Sequence, residues 1–273
     1  MGKQPATEVA RKEKAGLPAQ YDYSADVGIG YENQTGEELQ IPFLAVLQTG
    51  SPQVTGEKGV KDARPGLLYN TVTEEILGQS VLFVPATREH VFVEWTPRTK
   101  GGGFKGRYKR DDALVVKAIA DAKEFGKYHT PAGNDLVETF YLYGTIVRES
   151  GEIQPVVIAF SSTKIKVYKQ YNTKMNMFTV EGPDGRKQKP PRFAHLMTVG
   201  VRPEKNAKGN FFNFTLQPAR NNAIKDSLLT PDDPRYQAAR ALGEMVSAGK
   251  ARAAEETQRA AADETEEGRP GVF

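Results

Sequence analysis

Residues 136–147 read LVETFYLYGTIV and residues 153–160 read IQPVVIAF, with Glu149-Ser150-Gly151-Glu152 near the middle of the gap between them. Two runs rich in β-branched and aromatic residues, joined by a short polar segment carrying glycine, form a β-hairpin. The same pattern recurs outward in both directions. Residues 193–201 and 211–216 flank the polar segment 203–209, which gives a second pair. Upstream, 80–85 (SVLFVP) and 90–95 (HVFVEW) are separated by a few polar residues and read as a third hairpin. Hairpins dominate, so the sheet is expected to be largely antiparallel.

Before these pairs, order begins at 41–47 (IPFLAVL), a loop follows through Gly56, Gly59, Pro65 and Gly66, and 67–70 make a short strand. Two helices interrupt the strands. Asp111 or Asp112 can cap a stretch in which Val115, Ile119, Ala122 and Phe125 share one face. Over 162–178, residues 164–167 alternate like a strand, whereas Lys164, Tyr168, Tyr171, Met175 and Phe178 follow helical spacing. With Ser161 or Ser162 available as a cap, helix is the favoured reading. After Pro218 the β pattern stops. Thr230-Pro231-Asp232-Asp233 supplies a capping hydroxyl, an N1 proline and first-turn acids for an amphipathic helix carrying Tyr236, Ala239, Leu242, Gly243 and Val246. The expected organisation is a flexible arm over 1–35, a β-rich domain over 36–228, the helix within 229–254 and a disordered acidic tail over 255–273.

Composition narrows the function classes. The chain has 273 residues and no cysteine, so disulfides, thiol catalysis and cysteine-based zinc sites are excluded. No apolar run approaches a membrane span and the start lacks a secretion signal, so a cytoplasmic protein without membrane partners is expected. The formal net charge of +3 conceals an asymmetry. Residues 1–40 carry −3 and residues 255–273 carry −4, which leaves +10 on residues 41–254. A basic middle between acidic ends suits a polyanion-binding domain screened by its own termini.

The parts of an enzyme are missing. His90, His129 and His195 are widely separated, the glycine run 101–106 lacks the ending of a phosphate-binding loop, and no G-x-S-x-G elbow occurs. Asp111, Asp112, Asp121 or Glu138 could serve a metal-dependent nuclease, but helix capping and solvation account for them more simply. The expectation is no catalytic residue, no metal and no cofactor.

The most informative stretch is 97–110, with six basic residues and no acid. Arg98, Lys100, Lys105, Arg107, Lys109 and Arg110 alternate with Phe104 and Tyr108, follow Trp95, and surround a triple glycine. Single-strand binders need cations to track phosphates and rings on which unpaired bases stack, each stack contributing roughly 1–3 kcal/mol. Lys164, Lys166, Lys169 and Lys174, with Tyr171, form a second basic-aromatic stretch. The segment 186–192 forms a third. Phe212, between Phe211 and Phe214, is a candidate ring on the sheet surface. Phe273 ends the acidic tail and is a candidate contact for partner proteins.

These features together resemble phage-encoded single-stranded DNA-binding proteins with an OB-type core. The resemblance rests on the layout of 41–53 (IPFLAVLQTGSPQ), 66–78 (GLLYNTVTEEILG), 91–95 and the glycine-basic loop. It continues with Phe160-Ser161-Ser162-Thr163-Lys164 before a helix, Phe193-Ala194-His195, and the acidic tail ending in Phe273. It implies a mainly β fold with interspersed helices, an OB-like antiparallel barrel or curved sheet. It also implies sequence-tolerant coating of single-stranded DNA in replication or recombination, a tail that recruits replication or recombination proteins, and a capacity to form homo-oligomers. The alternative is a phage structural or protein-interaction module that binds no nucleic acid.

Overall fold

In the computed structural model, the described residues are 29–30 and 40–255, apart from 57, 58 and 208. Residues 1–28 and 31–35 of the expected arm and 256–273 of the expected tail, with Phe273, lie outside them. In chain order the elements are β1 (Gln40–Ile41), β2 (Leu44–Val46), α1 (Pro52–Thr55), β3 (Leu68–Asn70), β4 (Ile76–Gly78), β5 (Ser80–Trp95), β6 (Phe104–Tyr108) and α2 (Ala113–Ala120). Then come β7 (Tyr128–His129), β8 (Asp135–Val147), β9 (Ile153–Ser161), α3 (Ile165–Met177), β10 (Val180–Glu181) and β11 (Lys187–Gln188). The last are β12 (Met197–Asn206), β13 (Gly209–Pro218), α4 (Pro234–Ser247) and β14 (Arg252–Ala253).

The long antiparallel pair β5–β8 is the spine, running from Leu82↔Val147 to Trp95↔Asp135. On the outer edge of β5, β12 pairs with its beginning and β6 with its end. On the outer edge of β8, β9 takes residues 139–147 and β7 takes 135–136. With β13 beyond β12, the result is a mainly β, antiparallel seven-stranded sheet that stays open and does not close into a barrel. A small sheet of β2, β3 and β4 accompanies it, and β1 pairs in parallel with β14. Among the described residues no helix is long and apolar enough to cross a membrane.

Strand alternation gives the spine two apolar faces. Phe83, Leu142, Ile146, Val156 and Ile158 face one core, closed by Tyr168, Tyr171 and Met175 of α3. Val84, Val91, Tyr141, Tyr143 and Val157 face another, closed by Ala239, Leu242 and Val246 of α4. A third cluster of Phe92, Leu136 and Tyr128 lies under Val115 and Ala118 of α2.

The hairpins at 136–160 and 197–218 form as expected. In the second, the strands continue to Asn206↔Gly209, so Pro203 and its neighbours are strand and not loop. Residues 192–194 form a short 3₁₀ turn, so that strand starts later, at Met197. The hairpin expected within 80–95 is one bent strand. Residues 86–89 contain no residue that favours a turn, and Pro85 sits at a register shift between Pro85 and Thr87, where a missing N–H costs the ladder little. Gly144 faces that irregularity. A Cβ there would come within 2.5 Å of the Val84 carbonyl oxygen and would strike the Phe83 ring.

Helix ends differ in detail from their sequence signals. Asp112 caps α2, its carboxylate accepting the Leu114 N–H at 2.9 Å. Phe125 is not on the buried face of α2, because the helix ends at Ala120 and the ring is 91% exposed. The helical reading of 162–178 holds, but neither serine caps it through its side chain. Ser162, at φ +49°, turns the chain from β9 into the 3₁₀ turn that leads to α3. The C-terminal helix starts one turn later than Thr230 suggests, with Asp233 as cap and Pro234 at its first turn.

Candidate nucleic-acid interface

The stretch 97–110 wraps the far end of the spine. Arg98–Lys100 is a 3₁₀ turn, and β6 then returns along β5. A register shift at Glu94/Trp95 sets Phe104 beside Trp95, their rings edge to face at 5.7 Å, both half-buried against the α4-side core. Tyr108 is directed to the opposite face, where its hydroxyl donates to buried Glu94 at 2.8 Å. That carboxylate also accepts from Asn134 (2.7 Å) and Thr130 (3.3 Å), so it ties the loop before β8 to the sheet. The hydrogen bond to Glu94 raises the Tyr108 phenol above its ordinary pKa.

Arg107 is committed to the protein. Its guanidinium donates to Glu89 at 3.0 Å and to the Tyr143 hydroxyl at 3.3 Å, and pairs with Glu255 at 3.2 Å. Burial pushes the Tyr143 phenol well up, with Glu89 adding to the effect. Lys105, Lys109 and Arg110 are exposed, as is Lys100, whose Nζ lies against Gly133. None of these four makes an ion pair among the described residues.

On α3 the expected residues part company. Tyr171 is core, 2% exposed. Lys164 is also buried, at 7%, with its ammonium 5.5 Å from the centroid of the Phe214 ring and its pKa lowered to about 8 by desolvation. Lys166, Lys169 and Lys174 point to solvent. Phe212 is half-buried over Gly66, and its backbone is held on both sides by the Gln48 amide, at 2.9 and 2.8 Å.

Lys166 and Lys169 line a groove of about 520 Å³ that no feature of the sequence announces. Its base is β8 between Asp135, paired with His129 of β7, and Thr139, paired with Ser161 of β9. From Asp135 to Thr139 the strand covers about 13 Å. The first turn of α3 forms one wall, and Phe125 to His129 form the other. Phe125 stands edge-on to buried Tyr128, at 6.5 Å and 82°, with its faces free for a ligand. The two acids of the groove each contact a histidine, which offsets their charge only when its ring is protonated. Asp135 pairs with His129 at 3.2 Å and Glu138 with His90 at 2.9 Å. Lys166 and Lys169 have no ionic partner among the described residues.

Of the expected cations, exposed Lys100 and Lys105 flank the strand end at Trp95, while Lys166 and Lys169 line the groove that begins at Asp135, the residue paired with Trp95 across the spine. The expected rings do not join them, since each is packed fully or in part. Among the described residues the exposed ring is Phe125, which helical periodicity assigns to a buried face. The signal against that assignment is Gly126, a turn residue at φ +83° directly after it.

No curated protein and no solved structure matches the chain. A family model described as Pam3 phage gp34-like protein matches residues 11–252, most of the sequence. The chain belongs to the Pam3 phage gp34-like protein family.

Proposed function

We propose that the protein is a non-enzymatic, sequence-tolerant binder of single-stranded DNA in phage replication or recombination, with the bent sheet serving as an OB-type surface. The observation that carries this reading is the groove in which the exposed ring of Phe125 stands opposite the unpaired Lys166 and Lys169. A flat ring stacks an unpaired base whatever its identity, and lysines at helical spacing track phosphates. Lys100, Lys105, Lys109 and Arg110 extend the positive surface around the same end of the sheet. Binding draws its free energy largely from counterion release, so affinity falls with salt. The acidic residues 255–273 and Phe273 recruit replication or recombination proteins.

Titration of a fluorescein-labelled dT oligonucleotide tests the reading by anisotropy. Saturable binding at about 50 mM salt is expected, weaker at about 200 mM. Phe125→Ala, removing one stack, should weaken it about 5- to 100-fold. No binding at low salt overturns the proposal and returns the protein-interaction reading.

A further inference from the structure

The opposite side of α3 carries a second set of polar groups that the groove does not use. Tyr168 and Tyr171 are each 2% exposed, and neither hydroxyl makes a well-formed hydrogen bond among the described residues, although Arg88 lies close to the first and Arg192 close to the second. Arg192, from the 3₁₀ turn before β12, stacks its guanidinium over the Tyr171 ring at 5.9 Å and donates one Nη to Asn172 at 2.6 Å. Its other Nη is buried and unpartnered. Arg88 approaches from β5. It is opposite Leu142 in the ladder, two residues before His90, whose ring stacks on Phe140, which in turn stacks on Tyr168 at 4.6 Å. Burial raises the Tyr168 phenol, and both Arg88 and Arg192 oppose that rise, so the two guanidiniums bear on the same hydroxyl. Arg192 acts likewise on Tyr171. Neither arginine pairs with a carboxylate among the described residues.

Buried polar groups are nearly always paired, and an orphan is destabilising. Here the unspent groups are two phenol hydroxyls and a guanidinium N–H, all able to donate, with two uncompensated positive charges beside them. Their common complement is a dianionic or monoanionic group that only accepts. Planar guanidiniums suit phosphate oxygens in particular. Arg88 is exposed and carries the positive charge of the cluster to the surface.

We infer that Arg88, Arg192, Tyr168 and Tyr171 form a binding site for a phosphate-class oxyanion. The site stands apart from the groove and does not depend on the proposed function. The phosphate has two possible sources, a phosphodiester of a bound strand or free phosphate, and the chemistry of capture is the same.

Isothermal titration of the full chain with inorganic phosphate, at constant ionic strength set by chloride, tests the site. One saturable phosphate per chain is expected in the wild type. Arg88→Gln and Arg192→Gln should each weaken it at least tenfold, and Tyr168→Phe should weaken it less. Arg88→Gln changes an exposed side chain, so it remains informative if Arg192→Gln does not fold. Titrating a dT oligonucleotide in the same buffers identifies the source. A phosphodiester source predicts competition by phosphate and weaker oligonucleotide binding in Arg88→Gln. A free-phosphate source predicts that phosphate still binds the oligonucleotide complex and that Arg88→Gln leaves the oligonucleotide Kd unchanged. Either result supports the site. Absence of saturable phosphate binding, or binding unchanged in Arg88→Gln, overturns it. A protein that takes phosphate but no oligonucleotide would sink the proposed function alone.

Discussion

Lys164 carries an ammonium into the core with no carboxylate to meet it, only the face of Phe214. A cation–π contact of this kind offsets part of the desolvation, but the amine still titrates at about 8 against 10.5 for a free lysine. Between those two values the unfolded chain holds the proton and the folded chain does not. Stability therefore rises as pH goes from about 8 to 10.5, and this component is lost as pH falls back through 8. The shift corresponds to about 3 kcal/mol. Lys164→Met should stabilise the protein at neutral pH by about 1–3 kcal/mol and remove that rise, as read by urea unfolding of both proteins across the same alkaline range. Equal slopes in the two proteins would place the charge in water. Helical spacing already sets this lysine apart from Lys166 and Lys169, because it shares the face of Tyr168, Tyr171 and Met175 that meets the sheet, but residue type alone assigns it to DNA with the others. His195 illustrates the same blindness. In the sequence it is an isolated histidine, yet in the fold it is 2% exposed, faces the Ser227 hydroxyl at 3.1 Å, and is driven down to about 4 by burial and by Arg192.

Among the elements, β5 concentrates the fold's geometry. As one strand irregular at Pro85, it holds β12 at its start and β6 at its end, so the proposed interface and the double-faced core belong to one sheet. Gly144 permits that irregularity by leaving room for Phe83 and the Val84 carbonyl. Gly144→Ala should cost about 1–3 kcal/mol through overpacking, with the urea midpoint lowered and the m-value kept. An unaffected midpoint would mean that the spine relaxes freely at this point. The two correct hairpins are legible in the sequence because apolar alternation and turn chemistry agree there. In β5 the apolar run is interrupted by a proline and four residues of mixed polarity, but none of the four favours a turn, and pairing with β8 on both sides of the interruption keeps the strand continuous. Phe125 misleads for a related reason, since periodicity persists past the residue at which the backbone leaves the helix.

At the scale of the whole molecule, charge is arranged by the sheet more than by the sequence run. The stretch 97–110 reads as one basic loop, but Arg107 is spent on Glu89 and Glu255, and Tyr108 on Glu94. In the proposed interface the exposed remainder joins α3 lysines about sixty residues away. Replacing Lys105, Lys109 and Arg110 with Ala should reduce the slope of log affinity against log salt by up to about 0.7 for each phosphate left unneutralised, without lowering the thermal midpoint. Arg107→Ala should instead lower the midpoint, because it leaves Glu89 and Glu255 without their cation. A lower midpoint for the triple variant, or a thermally silent Arg107→Ala, would reverse these assignments.

The most direct measurement is photocrosslinking of the full chain to a 5-iodouracil-substituted oligonucleotide, followed by mass mapping of the modified peptides. Crosslinks on the peptide holding Phe125 and on the first half of α3 are the expected result. Crosslinks confined to β12, β13 or α4, with none beside Phe125, would contradict the account.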